Sequence, residues 1–227
     1  MSTRPHSTAA PPAPAPAPAP PTDAAPSAVD PIGPNAELLR RTLALIERLS
    51  DRQYVHVEER LSSASIGAHV RHVLDHYRQF LAGLPLGEID YDARARDTEV
   101  ERSVEAASAE ARRLIAELSA LQTGAGTAAS GRAGPDWAAR PLRVRQQGDE
   151  VPGRFDGCES HALRELLFLA SHAVHHQALI AVLARAQGLA VPERFGLAPS
   201  TATWQASQAG HAAETGQASG GSRACAR

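Results

Sequence analysis

Four stretches of this 227-residue chain repeat their apolar residues at intervals of three and four, and that period commits it to helices. Leu38, Leu39, Leu43, Leu45, Ile46 and Leu49 make the first apolar face, after Asn35, a residue suited to cap a helix N-terminus. A second helix is predicted from Ser63 or Ser65 to Leu81, closing around Gly83 and Pro85. The third, about Thr98 to Leu121, aligns Val104, Ala107, Ala111, Leu114, Ile115, Leu118 and Leu121. It also sets Glu99 and Glu101 in the first turn, where the helix dipole favours acid. The fourth runs roughly from Ser160 to Gln187 and stops at Gly188, with Pro192 beyond it. A Gly-rich connection, Thr123 to Glu159, separates the last two, and within it Leu142–Gln146 is a candidate extended segment. Four long helices with two lengthy connections predict an all-α fold, a four-helix bundle.

Composition sets the boundaries of that bundle. Residues 5–34 hold eleven of the 17 prolines, so residues 1–34 are expected to stay extended and solvated, a disordered Pro/Ala-rich leader. This leader lacks the continuous apolar core of a signal peptide. Gln205–Arg227 is rich in Gly, Ser, Ala and Gln without an apolar period, and is expected to be a flexible tail. The folded domain is then residues 35–204. A net charge of −2 offers nothing to nucleic acid or an anionic bilayer. No uninterrupted apolar run approaches the ~20 residues of a membrane span. All 23 basic residues are arginine, which excludes Schiff-base, P-loop and Ser-Lys chemistry. Two cysteines, Cys158 and Cys225, are too few for a disulfide framework or a four-cysteine zinc site. A reduced, cytoplasmic protein acting on a small molecule is expected, with no nucleic-acid or membrane partner. A homodimer through an apolar bundle face near Trp137 or Trp204 is a further expectation.

Six of the ten histidines fall in two short windows. His69, His72 and His76 lie within about 60° of one another on the second helix, on the stripe of Ile66, Val73 and Phe80. On the fourth helix His172 and His176 are about 40° apart, on the stripe of Leu169, Leu179 and Leu183. A lone histidine on an apolar face is usually a hydrogen-bonded core residue. Two helices that each aim imidazoles inward are different, because burying several imidazoles without strong partners is costly and a cation relieves that cost. The H-E-x-x-H metalloprotease motif is absent, since Ala173 stands where its glutamate would be.

Ser65–Leu81 (SIGAHVRHVLDHYRQFL) and Ser171–Gly188 (SHAVHHQALIAVLARAQG) resemble the second and fourth helices of the DinB-like superfamily. The resemblance continues through Ile89–Glu101 and Val191–Thr201, segments similar to an uncharacterised bacterial branch of it. It implies a metal-binding four-helix bundle running up-down-down-up. It also implies one divalent ion held by a histidine pair four apart on the fourth helix and one on the second; zinc, nickel, iron and manganese all accept such imidazoles. The pair carried over is His172 and His176. On the second helix His72 matches the usual position and is favoured, while His76 matches members with the ligand one turn later. His69 and His175 are then packing or supporting residues. Three protein ligands leave a coordination position for substrate. The resemblance further implies a thiol S-transferase or isomerase using a low-molecular-weight thiol, ionised by the ion, that attacks an electrophile. A hydrolase with hydroxide in the thiol's place, and a noncatalytic metal-binding or structural bundle, stay open beside it.

Three further features bear on the site. In Tyr91–Asp97, Arg94 and Arg96 are candidate forks for a substrate carboxylate, with Tyr91 beside them and Asp92 or Asp97 to orient them. The same segment equally suits a solvated loop that caps the third helix. Glu165, two turns before His172 and on its face, is either a carboxylate that orients an imidazole or a solvated first-turn residue, and the latter is expected. Asp75 is expected to point away from the histidine stripe.

Overall fold

The computed structural model of the chain describes residues 30–93, 98–123, 137–145 and 157–218. Helices dominate it. The long ones are α1 (Ile32–Ile46), α3 (Ile66–Gly83), α5 (Val104–Thr123) and α6 (Ala162–Ala186). Short α2 (Asp51–Val55) follows α1, short α4 (Thr98–Arg102) precedes α5, and α7 (Pro199–Ala218) ends the described chain. Both α1 and α3 pack against α5 and against α6. Leu39, Ile46, Leu74, Phe80, Leu114, Leu118 and Leu169 fill the space between them, each fully buried. All of them except Leu74 are residues that the helical period placed on inward faces.

Local chemistry explains most helix ends. The Ser65 hydroxyl accepts from Ala68 N and starts α3. Gly188, at φ +75°, takes the left-handed turn that ends α6. The start of α1 departs from expectation. Asp30, not Asn35, serves it, its Oδ1 accepting from the amides of Ile32 and Gly33. Asn35 is instead buried inside the helix, its Nδ2 donating to the carbonyls of Pro31 and Leu166, its Oδ1 accepting from the Tyr77 hydroxyl at 2.7 Å. One amide therefore ties α1 to α3 and α6.

The predicted third helix is broken at Ser103. The amide of Val104 donates to Asp51 Oδ1 and that of Ala106 to Ser103 Oγ, so α5 begins afresh there. Preceding it, α4 lies hard against the start of α3, where a Cβ on Gly67 would sit 2.1 Å from the carbonyl oxygen of Glu101. Only glycine permits that approach.

A small sheet joins the helices, an addition to the expected all-helical plan. Strand β1 (Glu88–Asp90) pairs in parallel with β2 (Pro141–Arg145), and β2 pairs antiparallel with β3 (Cys158–His161). Here β2 coincides with the extended segment foreseen around Leu142. Ile89, Leu142 and Val144 face the core. Because β3 runs directly into α6 and β1 into Tyr91, the sheet fixes both at one end of the helices.

Two boundaries deserve comparison with the sequence. The leader through residue 29 lies outside the described residues. The segment from Gln205, expected to be loose, is helical as far as Ala218, and its side chains from Gln205 to Gln208 are exposed. Among the described residues α6 is long and apolar enough by composition to cross a bilayer. One side of it packs on α1 and α3, while Leu167, Leu179 and Val182 are exposed.

Candidate metal centre

The histidine spacing of α3 and α6 puts imidazoles where these helices face each other. His72, His76 and His172 come together, with one donor nitrogen of each within 4.8 Å of the others. Their ring centroids are 4.4 Å (His72–His76), 4.3 Å (His76–His172) and 5.0 Å (His72–His172) apart. His176 lies against this group, 4.6 Å from His72 and 4.5 Å from His172 between ring centroids. It is outside the group of three, because its Nδ1 meets Nδ1 of His69 at 3.1 Å. His175 is exposed and stands edge-on to His176. The two α6 histidines four apart thus differ: one joins the two from α3, the other turns to a third.

Hydrogen bonds decide which nitrogens present lone pairs. Nδ1 of His76 lies 2.8 Å from the carbonyl oxygen of His72. A carbonyl only accepts, so Nδ1 carries the proton and Nε2 the lone pair, the tautomer a metal-binding histidine needs. Between His69 and His176 one nitrogen donates and the other accepts, so both rings cannot be fully protonated. His176 is pushed down to about 4, by burial first and then by the neighbouring imidazoles His69, His175 and His76. His69 is lowered too, by burial and by His175. Its Nε2 is buried with no hydrogen-bond partner among the described residues. His69 and His176 are both held toward the neutral form.

Such a donor set fits a borderline divalent ion. Zinc takes imidazole nitrogen at about 2.0–2.1 Å, and three such nitrogens gathered from two helices are the kind of donor set it uses. No carboxylate belongs to the group. Asp75 is buried on another side of α3, paired with Arg71 and Arg78 at 3.0 Å each, as its position on the helix led one to expect.

Aromatic rings wall the cluster. Tyr91 stacks on His76 (5.2 Å, 19°) and Phe168 on His172 (5.6 Å, 29°), and the two rings meet each other at 5.6 Å. Tyr91 is buried, and its hydroxyl donates to Glu165 Oε2 at 2.9 Å. Glu165 corrects the expectation of a solvated side chain: it is fully buried. Its Oε1 accepts from the Ser160 hydroxyl and, at 2.8 Å, from Arg164 Nη1. It is enclosed because β3 and the residue after β1 close over the first turn of α6. Burial and the adjacent Glu165 carboxylate raise the Tyr91 hydroxyl far above the ordinary tyrosine value, so it stays a donor. Arg94, Arg96 and Asp97 lie outside the described residues. Phe168 was not singled out from the sequence, although it stands one turn before His172 on the same stripe, a signal that spacing alone could have given.

An apolar groove of about 560 Å³ between α1 and α6, lined by Leu38, Leu167, Val174 and Leu197 among others, includes none of these histidines. Residues 36–180, the greater part of the chain, match the model of the DinB superfamily. No curated protein and no solved structure gave a match.

Proposed function

Because this chain belongs to the DinB superfamily, we propose that His72, His76 and His172 hold one divalent metal ion and that the protein is a thiol-dependent S-transferase. The observation that carries this reading is the approach of three imidazole donors, from two helices distant in sequence, to within 4.8 Å. His176, packed on His172, is the alternative donor from α6. We read the four long helices as the up-down-down-up bundle of the family, in a cytoplasmic protein.

A divalent ion at this position supplies Lewis acidity, which lowers the pKa of a thiol or a water molecule. The protein's residues do the rest. His76, anchored through Nδ1 to the backbone of its own helix, holds its ring fixed. Tyr91, held in turn by Glu165, buttresses that ring from one side. Phe168 does the same for His172 and keeps water from that flank. Held by His72, His76 and His172, which add no negative charge, an ion would keep its full positive charge and would favour an anionic sulfur over a neutral ligand. Zinc, nickel, iron and manganese all suit imidazole, and availability selects among them.

Untagged protein, incubated with each of these ions, gel-filtered and subjected to elemental analysis, tests the centre. One ion per chain is expected, with loss in His172→Ala and in His72→Ala. Wild-type protein that retains none of them refutes it. A screen of cellular thiols against electrophiles, with a chelated control, tests the activity. Chelator-sensitive thiol consumption supports transfer, and its absence in ion-loaded protein leaves a noncatalytic binder.

A further inference from the structure

Arg164, Phe168 and His172 follow one another at intervals of four on α6, so they form a single stripe. Arg164 Cζ lies 5.5 Å from the centre of the Phe168 ring, and that ring stacks on His172 at 5.6 Å. From guanidinium to imidazole the helix rises about 12 Å.

The guanidinium is both held and accessible. Nη1 is bonded to the buried Glu165, which fixes the orientation of the planar group. The side chain is nevertheless 57% exposed, and its other donors have no protein partner among the described residues. Glu165 also accepts from Tyr91 and Ser160, so its charge is shared among three donors. A positive group with donors to spare thus stands at one end of an aromatic stripe whose other end is the histidine cluster.

We infer that Arg164 recognises the carboxylate of an elongated substrate or cosubstrate, whose apolar middle lies on Phe168 and whose reacting end reaches the histidines. The inference rests on the proposed metal centre for the identity of the reacting end, but not for the anion site. Arginine offers a carboxylate two parallel hydrogen bonds, and a fork already held in place loses little freedom on binding. The length of the stripe selects extended molecules over short ones. Arg164 is thus a specificity-determining residue, with a carboxylate-bearing thiol as the ligand class.

Calorimetric titration of the full chain, metal-free and loaded with cobalt(II), decides it. The probes are ω-mercaptoalkanoates from mercaptoacetate to mercaptooctanoate, each beside the mercaptoalcohol of equal length. Carboxylates of the longer members should bind about tenfold more tightly than their alcohols, the worth of one charge-assisted contact. Arg164→Gln should erase that gap while cobalt affinity stays unchanged, and Arg164→Lys should restore part of it. Equal binding of acids and alcohols by the wild type, or a gap that survives Arg164→Gln, overturns the inference. If the chain takes up no cobalt, the metal reading falls by itself. Plain alkanoates against alkanols on metal-free protein then decide the Arg164 site, and no preference for the acid overturns it.

Discussion

Acidification should destabilise the metal-free protein well above the pH at which carboxylates titrate. The cause is the histidine cluster. His176 has a folded-state value of about 4, against an ordinary histidine value of 6.5. A lowered value means that the unfolded chain binds a proton that the folded chain refuses. Stability from this group is therefore complete above about pH 6.5 and is lost progressively as pH falls toward 4. One such proton gives a slope of up to about 1.4 kcal/mol per pH unit. The ring is only half-buried, so solvent screening cuts its total contribution to roughly 1–2 kcal/mol. His69 acts in the same direction. Carboxylates held low by arginine, such as Glu110, add their loss only at lower pH. Urea unfolding with a chelator present, at half-unit steps from pH 7.5 to 4.5, reads the effect directly. Stability should fall through this window in the wild type, and His176→Phe should flatten the curve. A wild-type curve that is level between pH 6.5 and 4.5 refutes the reasoning, because it means the imidazoles titrate alike in folded and unfolded chains.

Two further predictions concern the scaffold. Removing the amide in Asn35→Ala strands the buried Tyr77 hydroxyl and should cost about 1–3 kcal/mol by urea unfolding; adding Tyr77→Phe should recover part of that loss, whereas strictly additive effects would show the two groups to be uncoupled. Gly67→Ala forces a methyl against the carbonyl of Glu101 and should cost about 1–3 kcal/mol, seen as a melting temperature lower by several degrees; an unchanged melting temperature would show that α4 yields freely.

The helices were legible because their determinants are local. Apolar spacing marked the inward faces, Ser65 the start of α3 and Gly188 the end of α6, and each of these signals acts within a few residues. What escaped depends on partners far along the chain. The break at Ser103 is made by Asp51, whose carboxylate receives the Val104 amide. Asn35 has the chemistry of a cap, but Asp30 starts the helix earlier and leaves Asn35 to bond Tyr77 and Leu166. Glu165 reads as a first-turn glutamate facing water until β3 and Tyr91 close over it. The histidines show both sides of this limit. Their spacing placed them on inward stripes, whereas the selection of His76 beside His72, and the turning of His176 to His69, depend on ring orientations that no spacing encodes.

The pairing of β1 with β2 also bears on the order of assembly. These strands run parallel, so the chain must pass through α4 and α5 before Glu88 can meet Arg143. Closing so wide a loop carries an entropic penalty that helix-to-helix docking near in sequence avoids, and pairings of this kind form slowly. Tyr91 follows directly on β1, and its amide bonds the carbonyl of Arg145 at the end of β2. His76 and His172 lie farther apart along the chain than Glu88 and Arg143, so the strand pair that sets Tyr91 in place closes a shorter loop than the docking of α3 on α6. The ring that braces His76 need not wait for the cluster, and the donors from α6 would then arrive against an imidazole already held in orientation.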